Sequence, residues 1–332
     1  MNLSKKHIGL LIIVFLAIPF AFFLHFSSGE ISISWDTFWV SVFNYSPNDT
    51  SHIIIHEFRI PRFSMACLAG GALALSGLMM QTLFNNPLAG PYVLGINAGS
   101  SLLVALALLS GFSFFKSDLG VISSALIGAL LFGAVILALS QYVKNGISLL
   151  LVGLMIGSFS GALVSILQAM SEAQSLKIFT LWSMGSLQQV QSDQLGIILL
   201  FFALGTTMAF LLIKPLNAMV LGESSASQLG ISIKKVRTVI ILATAILTGL
   251  ITAFCGPIAF IGLAVPNLVK IIFKTQNHGI LIPACLASGA IFLVICDIIV
   301  QLMVSTVNLP INAITSLIGA PMIIYFVLKK LA

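Results

Sequence analysis

Residues 63–95 read FSMACLAGGALALSGLMMQTLFNNPLAGPYVLG. From Phe63 to Phe84 there is no charged side chain, and ~20 such residues are what a helix needs to cross a bilayer. The remainder stops that helix and opens another. Asn85-Asn86-Pro87 and Gly90-Pro91 each interrupt a helix through backbone chemistry, because proline lacks the amide hydrogen and glycine and asparagine accept turn conformations. A plain turn needs only one of these devices, so the doubling marks a built interruption. A run that is apolar on every face belongs in lipid rather than in a soluble core.

The same pattern extends over the whole chain. Of its 332 residues only 7% are charged and 59% are hydrophobic, with a mean hydropathy of +1.14. The apolar runs predict ten spans, near 8–26, 63–84, 92–112, 118–140, 147–170, 193–213, 236–256, 257–274, 279–302 and 311–328. This is an all-α integral membrane chain, a single transmembrane domain over 1–332. No segment is long enough to bury a separate core. The first apolar run follows Lys5 and Lys6 but is too long for a cleaved leader and lacks a small-x-small site, so it is read as an uncleaved span.

Ten spans put both termini on one side. That side collects Lys5, Lys6, Lys144, Lys214, Lys234, Lys235, Arg237, Lys270, Lys274, Lys329 and Lys330, against Arg59, Arg62, Lys116 and Lys177 opposite. The bias makes the richer side cytoplasmic. Glu30, Asp36, Asp49, Glu57, Asp118, Glu172 and Asp193 then fall outside and Glu223 inside. The net charge of +6 is therefore an orientation signal, and no nucleic-acid partner is expected. Cys67, Cys255, Cys285 and Cys296 stand in apolar segments without CxxC or Cys/His spacing, so neither disulfides nor a metal site is expected.

Two segments do not span. Residues 27–58 form an outer linker whose ISISWDTFWVSVFNY (Ile31 to Tyr45) suits a helix lying at the interface. Leu176 to Val190, half a span long with Gly185 inside, suits a short outer half-helix.

Gly256-Pro257 repeats the earlier Gly-Pro restart, and Pro266 follows within a span. The two restarts follow spans two and seven, which run in opposite directions. This predicts an inverted repeat of spans 2–5 and 7–10, a common transporter plan. Gly153, Gly157 and Gly161 recur at every fourth residue, a groove for close helix approach either within the subunit or at an interface or pathway wall. The longest cytoplasmic connection, 214–236, reads as two short amphipathic helices between Gly222 and Gly230. It is either a surface loop or a shape that fits a partner's groove. Arg59 and Arg62 oppose the charge trend. They either snorkel or dock carboxylates of an outer partner. Asp297 is the intramembrane acid. No mate for it is visible in neighbouring spans, so a hydrogen bond to a helix end is expected.

Together these residues resemble the permease subunits of ABC importers for iron-siderophores, haem and cobalamin, the FecCD type. The resemblance runs from Arg59-Ile60-Pro61-Arg62 and Gly70 to Gly77 through Gln81…Phe84-Asn85-Asn86-Pro87-Leu88-Ala89-x-Pro91…Leu94-Gly95 and Trp182-Ser183-Met184-Gly185-Ser186. It continues in Leu221-Gly222-Glu223…Ala226…Leu229-Gly230, Gly256-Pro257-Ile258-Ala259-Phe260-Ile261-Gly262-Leu263…Pro266, Asp297, Leu309-Pro310 and Leu317-Ile318-Gly319-Ala320-Pro321. It implies a ten-helix subunit of the bacterial cytoplasmic membrane that dimerises, more readily with itself than with a sister permease, around a central pathway. Two cytoplasmic ATPase subunits holding ATP and magnesium would drive it, and an extracytoplasmic substrate-binding protein would deliver a metal chelate. Arg59 and Arg62 would receive that protein's acids. Leu221, Gly222, Glu223, Ala226, Leu229 and Gly230 would seat in the ATPase. Gly153, Gly157, Gly161, Trp182 and Gly185 would lie along the pathway. The chain departs from relatives at Gln301, where some carry an arginine, and at Asn267, where many carry a histidine.

Two rivals are weaker. An ion-coupled secondary transporter of a bulky apolar substrate would show several ionisable residues near the bilayer midplane, and this chain offers Asp297. An intramembrane enzyme would show HExxH, GxSxG or paired carboxylates. None is present, and His25, His52, His56 and His278 are isolated from plausible co-ligands, so a haem-ligating membrane protein is not expected either. There is also no Walker A loop, so no nucleotide cofactor is expected on this chain.

Overall fold

Apolar runs of bilayer length fold as helices, because only intrasegment hydrogen bonds satisfy a backbone in hydrocarbon. The computed structural model describes residues 5–29, 31–110, 117–143, 146–304 and 309–331, save the side chains at 93, 327, 330 and 331, and every element among them is helical. In order these are α1 (Lys5–Ser27), α2 (Trp35–Phe43), α3 (Thr50–Ile53), α4 (Ile60–Leu83), α5 (Ile96–Leu109), α6 (Asp118–Leu139), α7 (Gly146–Met170) and α8 (Ala173–Ser183). They continue with α9 (Leu195–Leu211), α10 (Ile213–Met219), α11 (Glu223–Gln228), α12 (Ile233–Cys255), α13 (Ile261–Phe273), α14 (His278–Met303) and α15 (Ile311–Leu331). Glu30, Lys116 and Lys144, assigned to sides above, lie outside the described residues.

Among the described residues, seven helices are long and apolar enough to cross a membrane, namely α1, the continuous Thr50–Leu83 helix, α6, α7, α12, α14 and α9 with its leading turn. The other three expected spans are shorter apolar helices, Ile96–Leu109, Ile261–Phe273 and Ile311–Phe326. In α5 and α13 the Gly-Pro interruptions consume the first turns. A 3₁₀ turn, Pro91–Leu94, and left-handed Gly95 precede α5, and non-helical residues from Gly256 to left-handed Phe260 (φ 68°) precede α13.

The expected outer linker is shorter than 27–58. The helix begins at Thr50, capped by Asp49, and runs through a π-helical segment, Ile54–Arg59, into α4. Its charged residues suggest an aqueous loop, yet each has a partner. Glu57 accepts a hydrogen bond from Ser192 (2.5 Å), His56 Nε2 bonds Ser41 O (3.1 Å), and Arg59 donates to Phe26 O (2.6 Å). Within the expected segment a helix is present, α2. Trp35 and Phe38 pack on Phe22 and Phe26 of α1, while Trp39 and Phe43 remain exposed.

α4 is the axis of the bundle, buried almost continuously from Met65 to Leu83 and packed on α14, α13, α12 and α9. The approach is at backbone distance. A Cβ on Gly70 would stand 2.1 Å from Gly289 O of α14, and one on Gly77 would stand 1.8 Å from Gly262 O of α13. Contacts this close are how helices associate where lipid removes the hydrophobic driving force. Gly77→Ala is expected to cost about 1–3 kcal/mol by overpacking and to lower the melting temperature in detergent. Gly196→Ala, where an added Cβ meets nothing within 4 Å, should leave it unchanged. Equal melting temperatures for the two variants would show that the α4–α13 contact relaxes freely.

Candidate functional site

Three groups of expected site residues are brought together, two of them at opposite ends of the bundle. At the end containing Lys270, the connection 214–236 folds as foreseen into two short helices, α10 and α11. Gly222 between them has φ +99° and Gly230 after α11 has φ +81°, with nothing within 4 Å of where a Cβ on either would stand. These are conformations that side chains rarely adopt. Ala226 is fully buried whereas Leu221 and Leu229 are exposed (66% and 65%). The pair is thus anchored by Leu216 and Met219 of α10 and Ala226 of α11, and presents two leucines outward. Glu223 accepts a hydrogen bond from Arg237 of α12 at 3.1 Å.

The interruption after α4 is closed by side chains. Asn85 is left-handed (φ 45°), and the Asn86 side chain accepts from Leu88 N at 2.9 Å. Asn267 of α13 donates to both Pro87 O and Leu263 O at 2.8 Å. The departure from the usual histidine thus serves the break itself. Gln81 accepts from Lys270 Nζ at 2.8 Å. The second interruption meets the half-helix α8. Ser186 N donates to Cys255 O at 2.8 Å, and a Cβ on Gly256 would fall 2.3 Å from Trp182 O. Gly185 takes φ +76°, with Pro257 O 3.1 Å from where its Cβ would be. Two motifs far apart in sequence therefore form one joint. Cavities flank it, one of ≈ 220 Å³ touching Gly185 and one of ≈ 610 Å³ touching Trp182.

The opposite end corrects the reading of Asp297. Its carboxylate has a mate and is not tied to a helix end. Arg62 of α4 grips it bidentately, Nε to Oδ2 at 2.7 Å and a terminal nitrogen to Oδ1 at 2.8 Å. His25 Nε2 of α1 lies 2.8 Å from Oδ2, and the Gln301 amide nitrogen donates to it at 3.0 Å. The Asp297 side chain is 2% exposed and that of Arg62 16%. Planar guanidinium and carboxylate match as paired donors and acceptors, which makes this the strong form of an ion pair. Arg59 differs. It donates to the carbonyls of Phe26 and Ile31 and lies over the Phe26 ring at 4.8 Å. No carboxylate pairs with it among the described residues, so its charge is held in place without being cancelled.

Sequence reasoning passed over His25, Asn217, Arg237 and His278. His25 ends α1 at the level where Arg62 opens α4 and Asp297 closes α14. Depth in the membrane was thus readable, but the adjacency of these spans was not. The glycine row of α7 is only partly covered. Gly153 is buried against Gly95, a Cβ on Gly157 would reach Ala98 at 4.0 Å, and one on Gly161 would meet nothing within 4 Å. Among the described residues no group of His, Cys, Asp and Glu is arranged to hold a metal ion.

Comparison with known proteins agrees with this geometry. Residues 14–329 match the FecCD transport family. The hemin transport system permease protein of Yersinia pestis is 34% identical over 324 residues, 97% of this chain and 94% of the relative. The vitamin B12 import system permease protein of Klebsiella pneumoniae is 35% identical over 281 residues, 84% of this chain and 83% of the relative. A solved metal-chelate type ABC transporter in an inward-facing conformation superposes with a TM-score of 0.85 at 28% identity, covering 97% of this chain and 99% of the other.

Removing one member of a buried ion pair strands the other, at about 3–5 kcal/mol, while replacing both by apolar residues costs far less. Arg62→Met and Asp297→Leu should therefore each lower the detergent melting temperature strongly, and the double variant should recover part of the loss. Additive losses in that cycle would mean that the two side chains do not act as a pair.

Proposed function

Because the chain belongs to the FecCD transport family and is a permease subunit of an ABC importer, we propose that it passes a metal chelate of the siderophore, haem or cobalamin class across the bacterial cytoplasmic membrane. The observation that carries this reading is the α10–Gly222–α11 pair. It projects two exposed leucines at the end that holds Lys214, Lys234, Lys235 and Lys270, a helix-in-groove shape. An ATPase dimer docks there and supplies ATP and magnesium. Both termini of the permease then face the cytoplasm, in keeping with the positive-inside rule.

Ten spans, the three short apolar helices included, form one half of a dimer. Exposure alone does not mark the interface, since α1 and α9 are as bare as α7. On α7 the half-covered Gly157 and the open Gly161, one turn apart, leave room for a second copy to approach closely. α7 carries no charged residue, which suits a pathway that leaves recognition of the chelate to a binding protein. Arg59 retains its positive charge at the outer end and receives a carboxylate of that binding protein. Arg62, once expected to share the task, is held by Asp297 and serves the fold. The ion-coupled alternative needs a carboxylate open to an ion, and the bidentate grip of Arg62 on Asp297 works against it.

Purification in mild detergent should bring down an ATPase chain in equal amount. Liposomes holding that complex, given a binding protein, should take up haem, a ferric siderophore or cobalamin only with ATP inside. Arg59→Glu should reduce stimulation of ATP hydrolysis by the binding protein, with the larger loss at low salt. Unchanged stimulation would remove Arg59 from docking, and uptake driven by an ion gradient without ATP would restore the secondary-transporter reading.

A further inference from the structure

The two short helices are fastened to different parts of the bundle. Asn217, on α10, uses one oxygen twice. Its Oδ1 accepts the backbone N–H of His278 at 2.7 Å and lies 3.0 Å from His278 Nδ1. An amide oxygen only accepts, so the ring proton belongs on Nδ1. The other ring nitrogen, Nε2, lies 2.8 Å from Thr82 Oγ1 near the end of α4. The His278 side chain is fully buried. α10 is thus bonded through one imidazole to the start of α14 and the end of α4, the pair that forms the axis of the bundle.

α11 takes another route. Glu223 Oε1 accepts from Arg237 Nη2, and Arg237 Nη1 donates to Val143 O at 3.1 Å and Ser140 O at 3.3 Å. Those carbonyls follow α6, and Arg237 belongs to α12 and is 8% exposed. Between α10 and α11 lies Gly222, at φ +99° with open space where a Cβ would stand, bonded only to the turns on either side of it, Met219 O and Ala226 N, in a backbone conformation that favours glycine.

We propose that His278 and Arg237 are positioning residues that latch the two helices independently, α10 to α4 and α14, α11 to α6 and α12. The proposal deepens the transport reading given above and rests on it only for its consequence. One loop would then deliver ATPase motion along two lines, one to the axis and one to the α6–α12 layer. His278 and Arg237 touch neither substrate nor ATPase in this scheme and act through Asn217 and Glu223.

Hydrogen exchange on the purified full-length protein tests the wiring without reference to transport. Asn217→Ala, or the near-isosteric Thr82→Val should the first fail to fold, is expected to speed exchange in α10 by about fivefold, the factor a single hydrogen bond supplies, and to spare α11. Arg237→Ala, or the milder Glu223→Gln, should do the reverse. Loss of protection in both helices from either variant, or in neither, overturns the independent latches. In the assembled importer each variant should raise the ATP hydrolysed per substrate imported, and the two pairs should combine additively across pairs and not within them. An unaltered ratio, or additivity within a pair, would likewise overturn the latches. Absence of any ATPase partner for the wild-type chain would refute the transport reading alone, because the exchange result stands by itself.

Discussion

A hydrocarbon solvent offers no partner to a backbone amide or carbonyl, and every interruption of a helix in this chain has to be closed by the protein itself. The interruptions are also where its chemistry is concentrated. Asn267 closes Pro87, Asn86 closes Leu88, and Asn312 accepts from Ala259 N at 3.0 Å. Ser186 N finds Cys255 O. Asparagine recurs because its short amide both donates and accepts without adding charge. Each break is thus bonded to a different helix, so the points that weaken single helices are the points that join helices together.

The few charges obey the same economy of solvation. Lipid penalises a lone ion, and the intramembrane acid is accordingly gripped by an arginine and neighboured by a histidine and a glutamine from three helices. Arg237 at the other end divides its donors between one carboxylate and two carbonyls. Arg59 stands apart, bonded to carbonyls only, and the difference between it and Arg62 is the difference between a charge on display and a charge in use.

Much of this was readable in the residues. Composition alone requires a helical membrane chain, because nothing else accommodates so many apolar residues with so few charges. Gly222 and Gly230 announce the α10–α11 pair, since turns of positive φ favour glycine, and Gly185 announces the end of α8. Reading failed where charge was equated with water. His56, Glu57 and Arg59 belong to the helix that begins at Thr50, because Ser192, Ser41 and Phe26 supply their partners from elsewhere. It failed again where pairing depends on which spans touch. Apolar length marks α1, α4 and α14 as spans, but only packing brings His25 and Arg62 each within 3 Å of Asp297. α5 and α13 fell short of full spans because a Gly-Pro restart needs residues of its own.

The carbonyl-to-glycine contacts of α4 have a mechanical meaning. Where Gly70 and Gly77 meet the backbones of α14 and α13, there is no layer of side chains to shear, and sliding by a fraction of an ångström would drive atoms into overlap. The three helices behave as a single solid member. Any change of shape must then fall to parts held less closely, namely the bare helix α7, and α8 with open space on either side of its closing turn. The molecule is in this sense a stiff core carrying looser helices, and the glycines along its axis are what make the core stiff.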